Sequence, residues 1–155
     1  MKAYLIDLDG TLANNDHRQH FLEREPRDWK GFFDAMGDDK PIPYMIEMCN
    51  HLFEGSRRGN GSLLRIIILT GRPENYRTST EIWLLQNRVR YHTLIMRHIN
   101  DYRGDAVVKE EMLHQLRADD YEIILAIEDR PPVIEMWRRN DVPVLEVFNP
   151  LWARA

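Results

Sequence analysis

Five short apolar runs divide the chain and predict five β-strands. They cover residues 3–8, 66–70, 93–96, 123–127 and 142–147. Most of these runs are continuous rather than alternating, which is typical of strands buried on both faces of a parallel sheet. The pattern therefore favours a parallel sheet over an antiparallel one.

Between the apolar runs, hydrophobic residues recur at helical spacing. This periodicity predicts helices over 74–88, 106–117 and 133–139, and a further helix that begins near Pro43 and runs toward Gly55. Strands that alternate with helices imply right-handed crossovers. We therefore predict an α/β fold with a doubly wound, Rossmann-like, parallel five-stranded sheet and helices on both faces.

One interval is too long for a single crossover helix. About 55 residues separate the first two predicted strands, so we predict a single domain over 1–155 with residues 14–40 as a small helical cap insertion. The insertion contains an apolar set: Phe21, Trp29, Phe32, Phe33 and Met36. Such a set either forms a small core of its own or contacts the substrate directly.

Composition narrows the class of protein. Hydrophobic residues make up 43% of the 155 residues and charged residues 30%, as in soluble globular domains rather than disordered chains. The apolar runs are too short for a membrane span, Asp7 comes too early for a signal peptide, and the single Cys49 excludes an internal disulfide. We expect a cytoplasmic protein without a membrane contact. The formal charge of −4 means that any contact with nucleic acid must be local.

Polar residues gather where the predicted strands end, the edge at which open α/β sheets bind ligands. They are Asp7, Asp9, Gly10 and Thr11 after the first strand, Thr70, Gly71 and Arg72 after the second, Arg97 after the third, and Glu128, Asp129 and Arg130 after the fourth. Lys109 lies in the helix before the fourth strand. Clustered carboxylates suit Mg²⁺, and hydroxyls with cations suit a phosphoryl group.

The same residues could also have purely structural roles. Glu128 and Asp129 could cap the helix that Pro131 opens, and Arg130 could simply pair with these acids. His17 and His20 lie three apart and could suggest a metal pair, but without a third ligand nearby we interpret them as surface histidines. If the first strand continues past Asp7, then Asp7 and Asp9 share a face of the sheet.

The ordered motifs resemble the haloacid dehalogenase superfamily of aspartate-nucleophile phosphatases. The motifs are Asp7-Leu8-Asp9-Gly10-Thr11-Leu12, Thr70-Gly71-Arg72, Lys109 and Glu128-Asp129. Residues 105–111, 125–130 and 133–139 are more specifically similar to the phosphatase half of the phage polynucleotide kinase-phosphatases. The chain lacks the G-x-x-x-x-G-K-[ST] loop of the kinase half. Glu128 also stands where those relatives carry a second aspartate, which favours Asp129 as the direct metal ligand.

The resemblance implies a role for each motif residue. Asp7 would be the nucleophile and Asp9 the general acid and base, with Thr70 and Lys109 completing the catalytic set. Asp7, Asp9, Glu128 and Asp129 would bind Mg²⁺, and Thr11, Gly71, Arg72, Arg97 and Arg130 would bind the substrate. We expect Asp7 to stay ionised beside the cation, and the neighbouring carboxylates to raise the pKa of Asp9.

The predicted function is a magnesium-dependent phosphomonoesterase that forms an aspartyl-phosphate and removes 3′-phosphates from polynucleotide ends. No obligate protein partner is inferred. A local cationic path would guide the polymer: Arg18, Arg24, Arg27, Arg72, Arg97 and Arg103. The alternatives are dispersed surface arginines with a nucleotide or another small phosphomonoester as substrate, and, remotely, a phospho-accepting receiver domain. Receiver domains carry their acceptor aspartate after the third strand, where this chain has Arg97.

Overall fold

A computed structural model of the chain describes residues 1–58 and 63–152. The strands are β1 (Lys2–Ile6), β2 (Ala13–Asn14), β3 (Lys40–Pro41), β4 (Leu64–Pro73), β5 (Thr93–Arg97), β6 (Glu122–Glu128) and β7 (Val144–Glu146). The α-helices are α1 (Trp29–Asp34), α2 (Pro43–Arg58), α3 (Arg77–Gln86), α4 (Asp105–Ala118) and α5 (Pro131–Arg139). The predicted α/β class is confirmed.

The central sheet has five parallel strands in the order β5-β4-β1-β6-β7. From β1 the chain first adds β4 and β5 on one side, and then crosses to the other side of β1 to add β6 and β7. The order of the strands therefore reverses between β1 and β6, which is where a doubly wound sheet opens its ligand crevice. The predicted parallel five-stranded sheet is confirmed.

Hydrophobic side chains alternate between the two faces of the sheet, and each face has its own core. On one face Ile66 and Ile68 pack with Trp83 of α3 and with residues of α2. On the other face Ile67 and Leu69 pack with α4 and α5. Because both faces of the central strands are covered, the apolar runs are continuous, as the sequence indicated.

Several element boundaries differ from those predicted. β1 ends at Ile6, two residues early, because the chain turns at Leu8, whose carbonyl accepts the backbone N–H groups of residues 11, 12 and 13. Strand β4 continues to Pro73, with a register shift after Thr70, and a 3-10 helix (Glu74–Tyr76) precedes α3, so the predicted helix over 74–88 begins as a 3-10 helix. Pro131 is the first residue of α5, where its missing N–H costs no hydrogen bond.

Residues between β2 and β3 form the excursion between β1 and α2. The two short strands pair in antiparallel fashion at its base, and between them lie a 3-10 helix (Asp16–Phe21), α1 and a second 3-10 helix (Ala35–Asp38). Phe32 and Met36 are buried, while Trp29 is 47% exposed and stacks on Phe33. Most of the aromatic set therefore packs on itself, with Trp29 open to solvent.

Candidate active site

The turn after β1 brings the first motif to the edge of the sheet. The Asp7 backbone N–H donates to the Ile127 carbonyl of β6, which ties the start of the turn to the neighbouring strand. Gly10 has φ +88°, and a Cβ there would lie 2.1 Å from Asp129 Oδ2. Glycine is thus required for its backbone conformation and because a carboxylate packs against it.

Lys109 connects two of the carboxylates. Its Nζ, on a side chain that is almost wholly buried, donates to Asp7 Oδ1 at 2.6 Å and to Glu128 Oε2 at 2.8 Å. Burial lowers the pKa of Lys109, but Asp7 and Glu128 outweigh that effect and the pKa is raised. Lys109 is therefore a fixed positive charge beside Asp7.

Three acidic side chains converge at the carboxyl ends of β1 and β6. Asp7, Glu128 and Asp129 each offer a carboxylate oxygen, and these oxygens lie within 4.8 Å of one another. Burial raises the pKa of Asp7 to about 7, with Glu128 adding to the effect, and burial also raises the pKa of Asp129 to about 6. Three buried carboxylates with one ammonium group carry surplus negative charge. Hard oxygen donors of this kind fit Mg²⁺.

Asp9 has different partners from Asp7. Arg72 donates to Asp9 from Nε and Nη2, and Arg18 Nη2 donates to Asp9 Oδ1 at 2.5 Å. Asp39 Oδ2 accepts from both arginines, at 2.7 and 2.9 Å, so the insertion is bonded to the first motif. Because β1 ends at Ile6, Asp7 and Asp9 do not share a strand face, and the carboxylate of Asp9 lies outside the three-carboxylate cluster.

The protonation state of Asp9 differs from the one expected. Burial raises the pKa of Asp9, but Arg72 and Arg18 outweigh it and hold the pKa well below its usual range. The expectation that neighbouring carboxylates raise the pKa of Asp9 is therefore wrong, because arginines surround it. Asp7 was expected to stay ionised beside a cation, and its raised pKa means that a nearby positive charge is needed to ionise it fully at neutral pH.

The remaining site residues divide by their contacts. Thr70 is buried and its Oγ1 accepts from the Arg72 backbone N–H, which leaves the hydroxyl proton free to donate to a phosphoryl oxygen. Thr11 was expected to bind substrate, but its hydroxyl donates to Asp7 Oδ2 at 2.9 Å. A Cβ on Gly71 would approach Asp105 Oδ1 to 2.7 Å, so this glycine makes room for an acid.

Three arginines were expected to bind substrate, and only one is accessible. Arg72 has no exposed surface and is bonded to Asp9 and Asp39, which differs from the predicted role. Arg97 is buried and bonds to the Gly71 carbonyl and to Asp105. Arg130 pairs with the same Asp105, but 41% of its side chain is exposed at the edge of the site.

The predicted cationic path is reduced by this burial. Of its six arginines, Arg18, Arg72 and Arg97 are buried in ion pairs, and Arg103 pairs with Asp101 and Glu111. The path as predicted from the sequence is therefore wrong for at least half of its members. His17 and His20 are both exposed, as expected, and His17 Nε2 lies 2.8 Å from Asp39 Oδ1.

Comparison with known proteins agrees with this geometry. The model of the family "Polynucleotide kinase PNKP phosphatase domain" matches residues 1–150. The chain belongs to this family. It is 25% identical over 149 residues to a protein of Autographa californica nuclear polyhedrosis virus described as a bifunctional polynucleotide kinase/RNA ligase. That match covers 96% of this chain and 19% of the viral protein.

Solved structures share the fold of this PNKP-type phosphatase domain. Two Pnkp1/Rnl/Hen1 complexes contain chains with 28% and 27% identity and TM-scores of 0.76 and 0.77. Each match covers 96% of this chain but only 46% and 42% of the other chain. A haloacid dehalogenase-like hydrolase from Streptococcus pneumoniae, 13% identical with a TM-score of 0.61 over 93% of this chain and 83% of its own, shares the fold.

The resemblance to the haloacid dehalogenase phosphatases and to the PNKP phosphatase domain is confirmed. Among the described residues, no helix is both long and apolar enough to cross a bilayer.

Four residues of this PNKP-type site were not assigned from the sequence: Asp39, Asp105, Asn149 and Trp152. Asp39 and Asp105 each neutralise two buried or partly buried arginines. Their signal was the surplus of arginines near the predicted strand ends, which required acidic partners. Asn149 and Trp152 both donate to Asp129. They lie at least 20 residues after Asp129 in sequence, and no motif spacing indicates them.

Proposed function

We propose that this chain is a magnesium-dependent phosphomonoesterase that forms an aspartyl-phosphate on Asp7 and removes 3′-phosphates from polynucleotide ends. The observation that carries the proposal is that the Asp7 carboxylate accepts a hydrogen bond from Lys109 and has an oxygen within 4.8 Å of oxygens of Glu128 and Asp129. Membership of the PNKP phosphatase family supports the same chemistry. Residues 14–40 would act as a cap within a single phosphatase domain.

Asp7 would act as the nucleophile in the first half-reaction. One of its oxygens attacks phosphorus, the bond from phosphorus to the leaving alkoxide breaks, and the alkoxide takes up a proton. Thr70 donates to a phosphoryl oxygen, and Lys109 offsets the charge that Asp7 and the phosphoryl group bring together. Asp7, Asp129 and the Asp9 carbonyl would hold Mg²⁺, which would supply further positive charge to stabilise the phosphoryl group.

Asp9 would serve the second half-reaction directly. As a carboxylate it accepts a proton from the water that attacks phosphorus, and phosphate then leaves Asp7. For the first half-reaction Asp9 must carry a proton, which Arg18 and Arg72 oppose in the free protein. The negative phosphate that enters the site counteracts these two cations, so substrate binding and protonation of Asp9 favour each other.

A polynucleotide substrate is supported by the relatives and by the shape of the insertion. The similar chains come from Pnkp1/Rnl/Hen1 assemblies, one of which is an RNA repair complex. The chain spans less than half of those proteins, so their other activities and their partners are not carried over. The insertion between β2 and β3 is short, which leaves space for a strand end to enter while the rest of the polymer stays outside.

A small phosphomonoester is the second candidate substrate, and one observation favours it. Arg18, Arg72 and Arg97 are occupied by Asp9, Asp39 and Asp105 within the protein. Fewer cations are thus available along a polymer path than the sequence indicated. A mononucleotide needs no such path.

Phosphate release separates the two substrates. We would compare a short single strand with a 3′-phosphate, the same strand with a 5′-phosphate, and a 3′-mononucleotide, with Asp7→Asn as the inactive control. The proposal expects the highest kcat/KM on the 3′-phosphorylated strand and no release in excess chelator. Equal rates on the strand and the mononucleotide would leave only the small-molecule reading. Full activity in chelator would overturn the magnesium role.

A further inference from the structure

Asp129 is held by two side chains from the carboxyl-terminal part of the chain. Asn149 Nδ2 and Trp152 Nε1 each donate to the same oxygen, Asp129 Oδ2, at 2.7 Å. Asp129 itself is 4% exposed. Within residues 1–58 and 63–152, no donor bonds to the other oxygen, Oδ1.

The other two acids of the cluster are engaged differently. Asp7 accepts from Lys109 on one oxygen and from Thr11 on the other. Glu128 accepts from Lys109 on Oε2 and from the Arg130 backbone N–H on Oε1. In the part of the chain that the structure covers, Asp129 is therefore the one member of the cluster with an oxygen that accepts no hydrogen bond.

The two donors are themselves fixed in orientation. Leu151 donates its backbone N–H to Asn149 Oδ1 at 3.0 Å, which turns the amide so that Nδ2 faces Asp129. The Trp152 backbone N–H donates to the Asn149 carbonyl, and the Trp152 ring lies 5.4 Å from the Arg130 guanidinium carbon. A Cβ on Gly10 would meet both Asp129 Oδ2 and Asn149 Nδ2, so these groups pack tightly on the turn after β1.

We infer that Asn149 and Trp152 are positioning residues that orient Asp129 and present its Oδ1 to the cation. The inference rests on the magnesium role in the proposed function. By occupying Oδ2, the two donors fix the rotation of the carboxylate and leave Oδ1 as the oxygen that can bind the ion. Partners that orient a metal ligand typically change metal affinity by about 10- to 100-fold when they are removed.

Trp152→Phe is the sharpest test, because it keeps an aromatic ring beside Arg130, although a smaller one, and removes the N–H donor. Asn149→Ala removes the second donor independently. We expect the Kd for Mg²⁺, measured by titration calorimetry on the full chain, to rise about tenfold for each variant. Phe148→Ala is the matched control, since Phe148 lies in the same segment and is 78% exposed. Its Kd should equal that of the wild type.

A positioning role and a merely structural role give different results. Positioning predicts that the magnesium concentration for half-maximal phosphate release rises while kcat at saturating magnesium stays near the wild-type value. It also predicts that tryptophan fluorescence changes on magnesium addition in the wild type, and changes less in Trp152→Phe. A lower melting temperature of the metal-free variant with an unchanged Kd for Mg²⁺ would overturn the inference.

The inference and the proposed function fail in different ways. Wild-type protein that binds Mg²⁺ without releasing phosphate would overturn the proposed function, while weaker binding by Trp152→Phe would still support the positioning role. Wild-type protein that releases phosphate, with Trp152→Phe and Asn149→Ala binding Mg²⁺ as tightly as the wild type, would overturn the positioning role alone.

Discussion

Arg72 donates two hydrogen bonds to Asp9, one from Nε at 2.9 Å and one from Nη2 at 2.7 Å, and its side chain has no exposed surface. The guanidinium also bonds to Asp39, which lies at the end of the insertion. A residue that sequence reasoning assigned to substrate binding is thus a buried partner of Asp9. It holds the carboxylate in one position and keeps it ionised.

Replacing Arg72 tests this positioning. Arg72→Lys keeps the charge but loses the planar contact that Nε and Nη2 make with the two oxygens of Asp9, so the carboxylate is less firmly oriented. We expect kcat to fall by about tenfold or more, with a small change in KM. Steady-state kinetics on the variant, with circular dichroism to verify the fold, checks this. A raised KM with kcat retained would instead return Arg72 to substrate binding.

Asp7→Asn should abolish turnover, because an amide keeps the shape of the carboxylate but is a poor nucleophile. We expect a loss of at least about 10³-fold in kcat, equivalent to about 4 kcal/mol of activation free energy. Phosphate release under saturating Mg²⁺ measures it. Asp16→Asn, an exposed aspartate of the insertion, is the control and should keep full activity. A folded Asp7→Asn protein with a tenth of the wild-type rate would remove Asp7 from the nucleophile role.

The stability of the metal-free protein should fall as the pH rises from 5 to 7. In the folded state Asp7 has a pKa of about 7, above the value of 3.8 for an aspartic acid in an unfolded chain. The group therefore contributes stability that is fully present below pH 4 and is lost as the pH rises through 7. At 1.36 kcal/mol per pKa unit the loss is on the order of 2 kcal/mol between pH 5 and 7. Asp129, whose pKa is raised to about 6, adds in the same direction.

Thermal unfolding in chelator measures this pH dependence. We expect the melting temperature to fall by about 4 to 8 °C over the interval. Asp7→Asn should reduce the fall and raise the melting temperature at pH 8, and added Mg²⁺ should have a larger stabilising effect at pH 8 than at pH 5. A melting temperature independent of pH would contradict the raised pKa of Asp7.

The fold was predictable because strand and helix periodicities differ, and the strands of a parallel sheet bring motifs that are distant in sequence to one edge. Asp7, Lys109 and Asp129 were found in this way. The partners of Asp9 were not, because Arg18 and Asp39 lie in an insertion whose path no periodicity specifies. The burial of the arginines could not be predicted either. The sequence places an arginine near the carboxyl edge of the sheet, but it does not show whether the guanidinium is exposed to solvent or paired with an acid. Trp152 was missed because its contacts with Asp129 and Arg130 depend on how the chain returns after β7.

Asp129 and Glu128 should differ in their effect on magnesium binding. Lys109 already donates to Glu128, whereas Asp129 has an oxygen that accepts no hydrogen bond and no bond to Lys109 among the described contacts. Asp129→Asn should therefore raise the Kd for Mg²⁺ more than Glu128→Gln does. We expect the Kd of the Asp129 variant to exceed that of the Glu128 variant by about tenfold or more. Calorimetric titration of both variants decides it. The reverse order would make Glu128 the direct ligand.

The salt dependence of activity should be shallow even if the substrate is a polynucleotide. Among the arginines first assigned to a path, Arg24, Arg27 and Arg103 are exposed, but Arg103 is paired with Asp101 and Glu111. Arg24 lies over the Phe21 ring and makes a long ion pair of 3.4 Å with Asp28, so Arg24 and Arg27 are the cations counted for the path. Each phosphate neutralised on a single strand contributes a slope of about −0.7 in log kcat/KM against log salt. Two arginines give a slope no steeper than about −1.4, whereas six would give about −4.

Kinetics at several salt concentrations on a 3′-phosphorylated strand and on a 3′-mononucleotide test this slope. Arg24→Gln with Arg27→Gln should flatten the slope on the strand and leave the mononucleotide unchanged. Arg57→Gln is the control, because Arg57 is exposed near the end of α2 that leads to the amino end of β4, away from the site. A slope near −4 would mean that the buried arginines open to the substrate, since no smaller set of cations accounts for so many phosphate contacts. Identical slopes on both substrates would instead remove the insertion from polynucleotide binding.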